Sequence, residues 1–134
     1  MSNRKRNEWD RYVDDKALLR VGGGITQFID GYESYIWRDF ETHCIFINVY
    51  LKENQWIPKN ILKELQEVIY NKILKLEWSK DEVCFIHFNS ASMQDFIPTY
   101  EGLGLNKKKT YKDLKFMKQE LLKVIKFLKE KGIK

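Results

Sequence analysis

Apolar residues recur at every second position in some stretches of this chain and at every third or fourth in others, which divides it into strands and helices. From His43 to Leu51 the alternation is clean. Ile45, Ile47, Val49 and Leu51 fall on one face, and Cys44, Phe46, Asn48 and Tyr50 on the other. One face is aliphatic and the other mixes aromatic with polar side chains, which predicts a sheet with helices on its aliphatic side and its aromatic side partly open. A further strand is predicted over 82–89, where Cys84, Ile86 and Phe88 share one face and Val83, Phe85 and His87 the other. Between the two, Ile61, Leu65, Val68, Ile69, Ile73 and Leu76 gather on one side of a helical wheel. The spacing predicts a helix from Pro58 to about Leu76, with the proline in the first turn, where a missing N–H costs nothing.

The flanking segments complete the pattern. A short helix is predicted over Glu8–Arg20, with Trp9, Tyr12, Val13 and Leu19 toward one side, ended by Gly22, Gly23 and Gly24 acting as a hinge. The run ITQFIDGYESYIW then reads as a hairpin, because Asp30-Gly31 suits a type I′ turn with positive φ at both positions. Phe28, Ile29, Tyr32, Tyr35 and Trp37 are its strand residues. Residues 89–109 predict either a short edge element around Asp95–Tyr100 or a functional loop, and Pro98 argues against a central strand. Thr110 opens the last helix, with Asp113 three residues on as a variant capping box. Its apolar stripe is Leu114, Met117, Leu121, Val124, Ile125 and Leu128. Lys112, Lys115, Lys118, Lys123, Lys126 and Lys129 take the other side, with Phe116 and Phe127 projecting beside them.

The class is therefore α+β: a three-stranded antiparallel meander, a helix, a further strand, and a long C-terminal helix packed on the sheet. Residues 1–24 form a basic arm and short helix with a glycine hinge, and 25–134 a single domain ending in the lysine-rich helix. A chain of 134 residues is long enough to bury a core without disulfides or metal. No apolar run approaches a membrane span, and the basic start lacks the apolar region of a secretory signal, so a cytoplasmic protein is expected. Cys44 and Cys84 sit mid-strand in apolar company and are expected as reduced thiols.

Charge alters the picture more than composition does. The net charge is +5, yet residues 105–134 hold eleven lysines and three acids, a net of +8, which leaves the rest at −3. The basicity belongs to the C-terminal helix and points to an anionic partner for that end, against the plainer reading of a solvated helix face. At the junction before that helix, Gly102 and Gly104 permit close backbone approach and Lys107, Lys108 and Lys109 supply charge. The helix start near Thr110 offers free N–H groups, so together these could hold a phosphate or carboxylate. Lys112, Lys115 and Lys126 extend this expected anion- or nucleic-acid-binding set. The bland alternative is a flexible loop with solvated lysines.

Catalytic patterns are weak. His43 and Cys44 point to opposite faces, as do Cys84 and His87, and no Cys-x-x-Cys pair exists, so no metal site is expected. The carboxylates Asp30, Glu33, Asp39, Glu41, Asp81 and Glu82 stand mostly where turns favour acids. Ser90 and Ser92 lack the glycines of a nucleophile elbow. Nothing argues for an enzyme or a cofactor, and a small hydrolase or nuclease using His87 with a carboxylate is the remotest reading.

Ile45-Phe46-Ile47 and Phe85-Ile86-His87-Phe88 resemble fragments of the two sheet signatures of the RNA-recognition motif, whose aromatic residues on an open sheet face stack on bases. The resemblance covers about a third of the chain. It departs at Asp81, Glu82 and Val83, where that family has a basic residue, a glycine and an aromatic. It also requires an additional strand from the segment KILKLEW, residues 72–78. It implies a contact face made of Phe46, Tyr50, Phe85 and His87. Taken together, a non-enzymatic protein that engages nucleic acid or a nucleoprotein complex through its basic helix and loop is the leading expectation. The alternative is a small phage-type inhibitor of a host defence complex, such as an anti-CRISPR. It would act by protein contact through Phe116 and Phe127 or the 28–37 hairpin.

Overall fold

The computed structural model describes residues 7–52, 57–69, 75–76, 85–92 and 95–133. The elements are α1 (Glu8–Lys16), β1 (Gly24–Ile29), β2 (Tyr32–Arg38), β3 (Ile45–Tyr50), α2 (Lys59–Val68), β4 (Lys75–Leu76), β5 (Phe85–Asn89) and α3 (Leu114–Glu130), with a 3₁₀ turn at Pro98–Tyr100. The strands form one antiparallel sheet in the order β1-β2-β3-β5-β4. The α+β class, the meander, the further strand and the long C-terminal helix on the sheet are all present. β4 falls within the segment from which the RNA-recognition-motif resemblance required a strand.

The sheet has one buried face. Ile36 of β2, Ile45, Ile47 and Val49 of β3, and Ile86 and Phe88 of β5 are buried with the α3 stripe Leu114, Met117, Leu121, Val124, Ile125 and Leu128, and with Leu65 and Ile69 from α2 and the residue that ends it. Both helices thus cover the same side, as the two periodicities require once strand and helix stripes meet. The Asp30-Gly31 turn has φ of 52° and 87°, the conformation a type I′ hairpin needs. A Lys129–Asp30 ion pair of 3.3 Å joins this turn to the end of α3.

Several sequence expectations change. α2 ends at Val68 rather than near Leu76, and Pro58 is its N-cap, extended at ψ 153°, rather than a first-turn residue. Ile73 lies outside the described residues, and Leu76 belongs to a strand, where sheet pairing overrides an apolar period that strand and helix share. α3 begins at Leu114 with Asp113 as N-cap, its side chain accepting from Phe116 N–H at 2.8 Å. Thr110 cannot open the helix because it bridges to Asp95 and its carbonyl accepts from Phe96 N–H. Finally, Phe127 is buried in the core and Phe116 packs against it, so neither projects as a free contact; the apolar stripe of α3 is wider than its spacing implied. Lysine ammonium groups lie 5.6 Å from each ring, Lys112 over Phe116 and Lys131 over Phe127.

α1 is joined to this body by a buried charge cluster. Arg38 ends β2 on the core face and has no exposure, and Asp15 of α1 is 6% exposed. The guanidinium donates to Asp15 at 3.0 Å, to the carbonyls of Leu19 (2.6 Å) and His43 (2.8 Å), and to the Tyr111 hydroxyl at 2.9 Å. Asp15 also accepts from Tyr111 Oη at 2.5 Å and from Leu114 N–H, the first helical residue of α3. The expected face of α1 is shifted rather than lost: Tyr12 and Leu19 are buried as expected, but Asp15 turns inward with them, while Trp9 and Val13 are about two-fifths exposed, at 39% and 42%, and the helix ends at Lys16 rather than Arg20. The glycine link is held to β2 as well, Gly22 N–H donating to Arg38 O and Arg38 N–H to Gly23 O.

Removing one partner of such a pair leaves a buried charge without its counterion. Arg38→Met is expected to cost about 3–5 kcal/mol, read as a lowered urea midpoint. A change below about 1 kcal/mol would show that Asp15 is satisfied without the arginine.

Candidate nucleic-acid interface on the open sheet face

With α2 and α3 on one side, the other side of the sheet presents three cross-strand rows. They are Trp37, Phe46 and Asn89; Tyr35, Asn48 and His87; and Glu33, Tyr50 and Phe85. Strand alternation places every one of these opposite the core. Rings touch throughout. Tyr35 and Trp37 stack at 5.5 Å between centroids and 23° between planes, Trp37 meets Phe46 at 5.6 Å, Phe46 meets His87 edge-on at 5.3 Å, and Tyr50 meets Phe85 at 6.1 Å. Trp37, Tyr35, Phe46, Tyr50 and Phe85 are each partly exposed, so part of this aromatic surface faces out.

A polar line crosses the rings. His87 Nδ1 and Asn48 Oδ1 are 2.8 Å apart, and Asn89 Nδ2 lies 3.1 Å from His87 Nε2. In these contacts the Asn48 amide oxygen faces one ring nitrogen and the Asn89 amide nitrogen the other. Both ring nitrogens are therefore engaged in holding the face together, and His87 is 8% exposed. That arrangement suits a rigid platform rather than a general base. A base or another flat ring could lie on Trp37, Phe46, Tyr50 or Phe85 and meet amide edges between them.

The structure brings Phe46, Tyr50, Phe85 and His87 together on the face opposite the helices. Tyr35 and Trp37 were legible only as hairpin residues; the β2–β3 register is what sets them on the face shared by Phe46. Asn48 and Asn89 carried no signal of their own. Phe116 and Phe127 lie on the far side, in and against the core.

The expected anion cradle at the start of α3 is not formed. Leu114 N–H is taken by Asp15 and Phe116 N–H by Asp113, so the protein's own carboxylates already occupy the helix N-terminus. Gly102 and Gly104 adopt φ of 85° and 73° in a run of turns with open space around them. The loop is fastened where Asn106 makes two hydrogen bonds of 2.9 Å to the Ile97 backbone, and where Thr99 donates to Glu41 O. This anchors it beside the β2–β3 turn, at the end of the sheet that carries Trp37 and Phe46.

Many tail lysines are paired. Lys112 lies 4.0 Å from Asp95, Lys123 2.9 Å from Glu120, Lys126 4.0 Å from Glu130 and Lys131 2.6 Å from Glu64. Among the described residues, Lys107, Lys108, Lys109 and Lys115 have no carboxylate within ion-pair distance, and they retain the free positive charge expected of them. Lys108 and Lys109 line an open cleft of about 370 Å³ with Trp9, Phe96, Glu101 and Asn106.

His43 and Cys44 belong to neither surface. Tyr12 Oη lies 2.7 Å from His43 Nδ1. Burial, then the nearby charges of Lys16 and Arg38, hold the imidazole below its ordinary value of 6.5. Cys44 is fully buried, and burial pushes its thiol up to about 12. Among the described residues no group of three or more His, Cys, Asp or Glu side chains converges on a metal-sized site. No protein family matches the chain, and neither a curated protein nor a solved structure matches it.

Two outcomes follow from these environments. Thiolate is the reactive form, so Cys44 should resist alkylation near pH 8 in the folded protein and react once urea unfolds it, as followed by mass spectrometry. His43 should titrate below 6.5 in an NMR pH series. Its folded-state value is depressed, so as pH falls below 6.5 the unfolded chain takes up the proton first, and this residue's contribution to stability declines until the folded imidazole also protonates.

Proposed function

We propose that the protein is a non-enzymatic binding protein that takes single-stranded nucleic acid on the open face of its sheet, with Trp37, Phe46, Tyr50 and Phe85 stacking on bases. The observation that carries this reading is the continuous, partly exposed aromatic surface opposite both helices. Stacking on aromatic rings is tolerant of sequence, and it needs unpaired bases, which argues for single strands over duplex. Lys107, Lys108 and Lys109 stand at the sheet end nearest Trp37 and Phe46, where cations free of carboxylates can meet phosphates. The paired lysines along α3 contribute little to such contacts, so the helix is not the principal interface in this reading.

A second reading has its own support. Phe28 and Phe40 are 74% and 75% exposed, and Leu103 and Leu105 stand out from the 98–109 loop at 65% and 52%. Exposed apolar groups of this kind suit contact with another protein, such as the target of an inhibitor.

Fluorescence anisotropy with labelled single-stranded and duplex oligonucleotides separates these. Single strands are expected to bind more tightly than duplex, and Trp37→Ala and Phe46→Ala each to weaken binding by about tenfold with the fold retained by circular dichroism. Lys108→Ala with Lys109→Ala should lower the magnitude of the salt slope for single strands by about 1.4. Absence of binding at low salt, or binding indifferent to both ring substitutions, would remove the sheet-face proposal.

A further inference from the structure

β1 is an edge strand, and among the described residues only β2 pairs with it. The two-residue turn makes Ile29 and Tyr32 the closing pair of the hairpin. In such a hairpin the closing pair exchanges backbone hydrogen bonds, and the bonding alternates along the ladder. Ile25, Gln27 and Ile29 therefore aim their N–H and C=O groups at β2, and Gly24, Thr26 and Phe28 aim theirs outward. Those three are also the exposed residues of the strand.

Edge strands are ordinarily guarded by lysine, proline, a bulge or a covering segment. β1 carries neither lysine nor proline, its register with β2 runs without a bulge, and residues 21–29 hold no charge in a chain that is 32% charged. A second copy meets no like-charge repulsion there, despite the net +5 of each chain.

We infer that β1 pairs with β1 of a second copy, antiparallel about a two-fold axis at Thr26, joining two sheets edge to edge. The inference is independent of what the open face binds. Its register is chosen by the side chains. With Thr26 opposite Thr26 of the second copy, Phe28 of each chain stands across from Gly24 of the other. Gly24 lacks a side chain for a reason visible in the fold: a Cβ there would overlap the Tyr35 hydroxyl and ring. The incoming Phe28 ring meets the Tyr35 ring that already lies over Gly24, a place no side chain at position 24 contests, and the cross-strand Thr–Thr pair is a favourable edge pairing. Phe28, 74% exposed in the single chain, thereby gains a packing partner. The contact is isologous, so it closes at two copies.

Sedimentation equilibrium tests the association and cysteine cross-linking tests the register. The weight-average mass should rise from 16.2 kDa toward twice that value with concentration. Thr26→Pro removes the outward N–H at the axis and should leave a folded protein that stays monomeric, because proline is tolerated where an edge N–H faces solvent. Paired Thr26 residues would have Cα atoms about 5.5 Å apart, within disulfide range. Under mild oxidation Thr26→Cys should form a covalent dimer that Gln27→Cys and the parent chain do not. A monomer at all concentrations, a dimer that survives Thr26→Pro, or cross-linking through Gln27→Cys instead would each overturn the inference.

Discussion

The arrangement of this protein depends on burying one guanidinium. Arg38 follows Tyr32, Ser34 and Ile36 along the core face of β2, so strand alternation carries its charge inward. A charge there is tolerable only if it is paired and its N–H groups are used. The partners come from four separate places: Asp15 from α1, the Leu19 carbonyl beyond that helix, the His43 carbonyl in the β2–β3 turn, and Tyr111 just before α3. Satisfying one side chain thus fixes where α1, the turn and the start of α3 must sit.

Asp15 answers a second need in the same place. Near the end of α1 a carboxylate opposes its own helix dipole, but it faces the first N–H of α3, where negative charge is favoured. Burial and the Asp15 carboxylate both raise the Tyr111 phenol above its ordinary value, so its proton stays in the bond to Asp15. The same contacts put an internal carboxylate at the start of α3, where the sequence suggested a place for an external anion. The positive end of the chain is likewise tempered by its own acids, although among the described residues Lys107, Lys108, Lys109 and Lys115 have no carboxylate at ion-pair distance.

Because α2 and α3 spend their apolar stripes on one face, the opposite face keeps its rings in contact with each other. His87, Asn48 and Asn89 are hydrogen-bonded to one another across two neighbouring rows, so the buried His87 and Asn89 have partners. The result is a surface of aromatic faces and amide edges held together by its own contacts.

Much of this was legible in the chain alone. Period-two alternation set the faces of β3 and β5, Asp30-Gly31 announced the hairpin, and the stripe Leu114 to Leu128 gave the face by which α3 packs, because each depends on neighbours within a few residues. The aromatic platform was half visible, through Phe46, Tyr50, Phe85 and His87. Tertiary structure alone decided the rest. It ended α2 at Val68 by recruiting Lys75–Leu76 into the sheet, turned Asp15 inward in place of Val13, moved the start of α3 to Leu114 and drew Phe127 into the core. Each of these is a contact between residues far apart in the chain, most plainly Asp15 with Leu114, and local spacing holds no record of which distant charge or strand edge will need a partner.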